Sequence, residues 1–152
     1  MRIHTIQREQ PIPLAPAEAF EFFSDPFNLE AITPRWLHLN VVTDGPIAMR
    51  PGTLIEYRLL LHALPLRWFT RIETWEPGRG FADVQLRGPY RLWHHTHRFE
   101  AHAAGTSMRA VVRYALPLGA FGRLARALLV RRDLERIFSF RRDTAAALLG
   151  EA

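Results

Sequence analysis

The sequence contains no cysteine. Disulfides, thiolate metal sites and cysteine nucleophiles are excluded at once. It contains no lysine either, since all 20 basic residues are arginine. That excludes a lysine Schiff base as a route to covalent catalysis. In a chain this rich in Ala and Pro, the arginine usage reads as codon bias and carries little functional meaning. No apolar run approaches the roughly 20 residues that a membrane-spanning helix needs. The opening MRIHTIQREQ lacks the apolar core of a secretory signal, so a cytoplasmic location is the expectation. Phosphate loops are missing too: Gly119-Ala-Phe-Gly122 has no Gly-Lys-Ser/Thr ending. Ser24, Ser107 and Ser139 have no nucleophile-elbow context. There is no internal repeat, low-complexity tract or linker.

What is present fits one globular domain over residues 1–152. The length allows a sizeable core, and 48% hydrophobic with 23% charged residues is ordinary for such a domain. The net charge of +5 is unevenly placed. Between Gly119 and Leu149 stand seven arginines and three acids, and the rest of the chain is nearly neutral.

Residues from Met1 to about Pro11 alternate apolar and polar, which predicts a half-buried strand. Pro16-Ala-Glu-Ala-Phe-Glu-Phe-Phe reads as a short helix with proline in its first turn. A second short helix runs from Pro26 to about Ile32, capped by Ser24 or Asp25. Strands are then expected over Leu37–Val42, Thr53–His62, Leu66–Trp75, Phe81–Arg87, Arg91–Ala101 and Thr106–Leu116. No helix separates them, so the sheet should be antiparallel. The C-terminal segment changes period: Phe121, Leu124, Leu128, Leu134, Phe138, Ala145 and Leu148 follow helical spacing. Arg123, Arg126, Arg132, Arg136 and Arg142 lie mostly off that stripe. This predicts an amphipathic helix of about 30 residues, well beyond the usual length.

An antiparallel sheet needs cover on its apolar face. A long helix with one apolar stripe supplies it, and strong sheet curvature would leave a pocket between the two. The fold class is α+β: a curved antiparallel sheet of six or seven strands, two short helices after the first strand, and one long C-terminal helix. This order resembles the helix-grip fold of the START, pollen-allergen and polyketide-cyclase superfamily (SRPBCC). The carriers are PAEAFEFFSDPFNLEAITP, with Pro16, Asp25-Pro26 and Pro34-Arg35-Trp36; then GPYRLWHHTHRFE; then the closing helix. The resemblance covers the whole chain. It implies a cavity for a hydrophobic small molecule such as a lipid, a quinone or a polyketide-like compound. The alternative it implies is a polyketide cyclase or dehydratase using cavity His and Tyr side chains as general acid and base. It implies no cofactor. The iron-binding oxygenase branch needs two histidines and a carboxylate in a much longer chain, an architecture not found in this sequence.

Strand alternation assigns the faces. Trp93, His95, His97 and Phe99 share one face, expected inward. Leu92, His94, Thr96, Arg98 and Glu100 share the other, which leaves His94 on the surface. By the same rule Ile55, Tyr57, Leu59 and Leu61 face in, as do Trp68, Thr70, Ile72 and Thr74, and Met108, Ala110, Val112 and Tyr114. The ligand-binding candidates are Tyr57, Trp93, His95, His97 and Tyr114, with Trp36 near the mouth. The same composition also serves a packed core. At the Gly88 hairpin two registers compete. A loop with an even number of residues pairs Val84 with Trp93 and sends Asp83 and Gln85 outward. A three-residue loop pairs Asp83 with His95. Ala82, Val84 and Leu86 favour the first, Phe81 the second, and the even loop is the expectation.

His95 and His97 form a His-x-His pair with Cα atoms roughly 6.5–7 Å apart, a spacing that can chelate zinc given a third ligand. Asp83 supplies one only in the odd register, so no metal is expected. The arginine-rich helix face suits peripheral contact with an anionic membrane, or simply solvent. Nucleic acid is not expected, because inward aromatics offer no stacking platform.

Overall fold

The computed structural model describes residues 2–116 and 123–150; the side chains described are those of residues 2–116 and 129–150. Strand β1 covers His4–Ile12 and buries Ile6, Gln10 and Ile12 on one face. Helix α1, Pro16–Phe23, begins with proline and buries Ala19 and Phe20. Helix α2, Pro26–Ala31, is capped by Asp25, whose carboxylate accepts from the Phe27 N–H at 2.9 Å. That bond satisfies one of the free amides of the first turn.

The strand expected over Leu37–Val42 is cut short. Arg35–Leu37 form a 3-10 turn that ends at His38 in the left-handed region (φ 47°). Only Asn40–Val41 remain as β2, because the turn consumes the residues that would have extended it. The Val41 N–H is taken by the Glu30 carboxylate. Strands β3 (Leu54–Leu61) and β4 (Leu64–Glu76) are joined by His62 and Ala63 alone. Both have positive φ, 48° and 66°, the geometry that matches a two-residue turn to strand twist. Strands β5 (Gly80–Arg87), β6 (Leu92–His102) and β7 (Gly105–Ala115) complete a seven-stranded sheet in the order β1-β7-β6-β5-β4-β3-β2. Every pairing is antiparallel.

Helix α3, Arg123–Leu149, closes the order. Its Leu134 and Phe138 pack with Ile6, Trp93, Val112 and Tyr114, so the helix lies on the face formed by β1, β7 and β6. Ala145 is buried as expected, but Leu148 is 58% exposed. Phe121 and the side chains of Leu124, Leu128, Arg123 and Arg126 lie outside the described residues. A second cluster joins α1 to the sheet through Ile12, Ala19, Phe20, Phe81 and Phe99. A third, Val41, Ile55, Tyr57 and Ile72, occupies the β2–β4 side. Apolar packing is therefore divided into separate clusters, and space remains among them.

Two expectations about facing are corrected. Between Ile72 and Thr74 the β4–β5 register shifts by a bulge. An extra residue flips the alternation beyond it. Thr74 is therefore exposed, and Trp75 turns in to meet Phe20 edge-on at 4.9 Å. The hairpin at Gly88 has the odd register: Asp83 pairs with His95 and Val84 with His94. The expected even loop fails because Phe81 outweighs Val84 and Leu86. Phe81 is buried against Phe20, Trp75 and Phe99, whereas Leu86 is half exposed. The ladder then stops at Val84. Gln85 spans the loop with its side chain, donating to the Tyr90 carbonyl at 2.6 Å and accepting from the Tyr90 N–H at 3.2 Å.

Candidate functional site

A cavity of about 150 Å³ lies between the sheet and α3. Its walls come from β3, β4, β5 and β6, from α2 and from α3. A second chamber of about 90 Å³ shares Phe23, Leu29, His95, His97, Phe138 and Arg141 with it, so these residues stand where the two spaces adjoin. Most of the lining is apolar. Ser24, Asp25, Thr33 and Thr70 add scattered polar groups, and one cluster of titratable side chains stands apart.

Strand pairing brings Asp83 of β5 opposite His95 of β6 and puts His97 two residues along the same face. The Asp83 carboxylate Oδ2 lies 3.4 Å from His97 Nε2. His97 stacks on Phe81 with ring centroids 4.1 Å apart, and His95 lies over His97 at 3.8 Å. The edges of Trp93 and Phe138 close on His95 at 6.2 and 5.8 Å. His95 Nε2 is buried and has no hydrogen-bond partner among the described residues. Burial, then the neighbouring His97 and the Arg141 guanidinium, hold the His95 imidazole well below its ordinary pKa. It is neutral at physiological pH. Tyr57 faces the same space from β3. Burial first, then the Asp83 charge, push its phenol up, so it remains a hydroxyl.

Arg141 enters from α3. Its Nε is buried and unpartnered among the described residues. Its Nη2 reaches Thr33 Oγ1 at a long 3.4 Å, and its guanidinium lies 5.6 Å from the centre of the Phe138 ring. Desolvation lowers its pKa to about 10, partly offset by Tyr57 and Asp83, and it remains a cation. Strand-face reasoning leaves this helix residue out of the site. Its signal lies in the spacing: Leu134, Phe138, Arg141 and Ala145 follow one helical face, so an arginine interrupts the buried stripe.

Of the sequence-predicted site residues, Tyr57, Trp93, His95 and His97 line the larger cavity. Tyr114 is buried outside it, stacked on His4 at 5.2 Å within the β1–β7–α3 cluster. Trp36 is 43% exposed, lies under the Arg136 guanidinium at 5.1 Å and lines neither chamber, although its neighbour Leu37 lines the larger one. Asp83, expected outward, lines the cavity. The odd register thereby supplies the third donor that the His-x-His pair needed. One donor atom each of Asp83, His95 and His97 lies within 4.8 Å of the others, and these are the residues that could hold a metal ion. The adjacent Arg141 cation opposes a dication there. On the outer face of α3, Arg131 pairs with Glu135 at 3.2 Å and Arg142 with Asp143 at 3.7 Å. Among the described residues no helix is long and apolar enough to cross a membrane.

No protein-family model matches the sequence, and comparison with curated proteins found no match. Comparison with solved structures did. CV1439 from Chromobacterium violaceum superposes with a TM-score of 0.74 at 15% identity, covering 97% of this chain and 98% of that one. The Zhui aromatase/cyclase from Streptomyces sp. R1128 gives 0.67 at 13% identity over 99% and 100%. Ara h 8.0201 gives 0.65 at 14% identity over 97% and 98%. Near-complete coverage on both sides, together with this chain's own seven-stranded antiparallel sheet, two short helices after β1 and closing helix, shows that this chain has the helix-grip fold.

Proposed function

We propose that the protein binds a hydrophobic small molecule in the cavity between the sheet and α3. The observation that carries this reading is the cavity itself: about 150 Å³ of space with a predominantly apolar lining and a few polar groups. Ligand sites combine a large apolar contact area with a few groups that fix orientation. Trp68, Tyr90 and Trp93 supply the aromatic surface, with Trp68 edge-on to Trp93 at 5.0 Å. His95, His97 and Tyr57 supply the polar handles. Binding requires apolar burial plus one or two hydrogen bonds and no chemical step. For a ligand of about ten heavy atoms, affinities from micromolar to millimolar follow from the usual efficiency per atom.

The test is organic extraction and native mass spectrometry of freshly purified protein, with tryptophan fluorescence during titration of quinones, fatty acids and aromatic compounds. A co-purified apolar mass, or saturable quenching that the Trp93→Leu variant loses, is expected. An empty protein that quenches with none of them would remove the reading.

One observation favours a second reading. Neutral His95 beside His97 and Asp83 has the character of a general base, and the Zhui aromatase/cyclase has the same fold. On this reading a bound polyketide-like substrate is cyclised or dehydrated. Its test is turnover of such a substrate by wild type against His95→Phe, which leaves the apolar cavity in place. Equal rates would reject it.

A further inference from the structure

We propose that the ligand carries a carboxylate, held by Arg141 of α3 and His95 of β6 where the two chambers meet, on a body of one or two rings or a short alkyl chain. The inference rests on the binding function proposed above and narrows it to a chemical class.

Two buried nitrogens point to it. Arg141 Nε and His95 Nε2 have no hydrogen-bond partner among the described residues, and both residues line both chambers. An arginine Nε can only donate. A neutral imidazole donates from Nε2 when its proton sits there. With the proton on Nε2, both residues that line the two chambers carry an unpartnered donor, and an oxygen acceptor would satisfy them, since a buried polar group without a partner is costly.

Charge selects the kind of oxygen. Arg141 makes no ion pair among the described residues, while the Asp83 carboxylate turns to His97 at 3.4 Å. The guanidinium therefore lacks a direct counter-charge, and a carboxylate matches its planar donor fork. Arg8, Glu9 and Arg142 also line the chambers but are paired with Glu135, Arg109 and Asp143. A single cation unpaired among the described residues, with Asp83 and Asp25 close by, suits a monoanion and opposes a phosphate dianion. Size selects the body. A dry cavity of about 150 Å³ accepts a benzene ring, whereas drug-sized ligands need roughly 300–1,000 Å³. The chambers of about 150 and 90 Å³ fall at the small end.

The experiment titrates benzoate, trans-cinnamate, 2-naphthoate and octanoate, each beside its primary amide, with naphthalene as the apolar control, into wild type, Arg141→Met and Asp83→Asn at pH 7 by calorimetry. At least one acid should bind about 10- to 100-fold more tightly than its amide, the range of a charge-assisted hydrogen bond. Arg141→Met should abolish that preference, the acid falling to the affinity of its amide, and near-ultraviolet circular dichroism reports that the variant remains folded. Asp83→Asn should keep or strengthen acid binding by removing a like charge. If the amides bind as well as the acids, or Arg141→Met keeps the preference, the carboxylate class is overturned and the apolar cavity function stands. If neither acids, amides nor naphthalene bind, both readings fail. Zn²⁺ alone, titrated in parallel, distinguishes a metal centre. Stoichiometric zinc lost in Asp83→Asn, with acid binding dependent on it, would overturn the direct Arg141 contact.

Discussion

His95 is buried with a neutral ring, and that state has a thermodynamic signature. In the unfolded chain its pKa returns to about 6.5. Below that value the unfolded state binds a proton that the folded state refuses. The contribution is therefore fully present above about pH 6.5 and is lost as pH falls toward the depressed folded value. A single such group gives a slope of at most about 1.4 kcal/mol per pH unit. Urea denaturation between pH 7.5 and 5 should show stability falling in wild type and falling less steeply in His95→Phe. Equal slopes would mean that His95 is protonated in the fold. The residues of the polar cluster differ in how they could be read. His95 and His97 were legible because strand alternation places them together with Trp93 and Phe99. Asp83 was not, because its position depends on a hairpin register that the local hydrophobic pattern misreports.

At the level of strands and helices, the floor of the cavity depends on how closely β5 and β6 approach. Gly80 pairs with Arg98, and a Cβ at position 80 would collide with the His97 backbone carbonyl. Gly80→Ala should cost about 1–3 kcal/mol in chemical denaturation, the range for overpacking a close contact. It should also weaken ligand binding by displacing His97. Gly78→Ala, at a turn position with positive φ (75°) and more room, should destabilise without altering the cavity. Binding measured in both variants at a temperature where each is folded separates the two effects. Element order and type were plain in the sequence, since period, proline and glycine are local signals. The bulge after Ile72 and the truncation of β2 were not. The first arises from non-local packing, Trp75 against Phe20; the second from the Arg35–Leu37 turn, which takes up residues that the hydrophobic pattern assigned to the strand. Leu86 misled for a related reason. Its hydrophobicity suggested an inward face, but the Phe81 cluster set the register and left it 50% exposed.

Across the whole molecule, one contact ties the β3–β4 hairpin to the closing helix. His62, in the tight turn, lies 2.7 Å from the Asp133 carboxylate of α3. The pair bridges two walls of the cavity, since Leu61 and Leu134 beside it both line the space. With the His62 side chain more than half exposed, the pair is worth about 1 kcal/mol or less. Its removal in His62→Ala should speed ligand release up to about fivefold in stopped-flow fluorescence. An unchanged release rate would show that exchange runs by another route.

Arg141 also bears on how the fold tolerates change. It stands where the stripe of Leu134, Phe138 and Ala145 would place an apolar residue. Replacing this half-buried charge, which has no ion-pair partner among the described residues, in Arg141→Leu should raise the unfolding free energy by about 1 kcal/mol in urea denaturation. Carboxylate binding in the same variant should disappear. Selection for thermal resistance alone would thus converge on an aliphatic side chain at this position and discard recognition, leaving a hardier protein with a blank interior. On the proposed reading, the arginine at this position gives up durability for use.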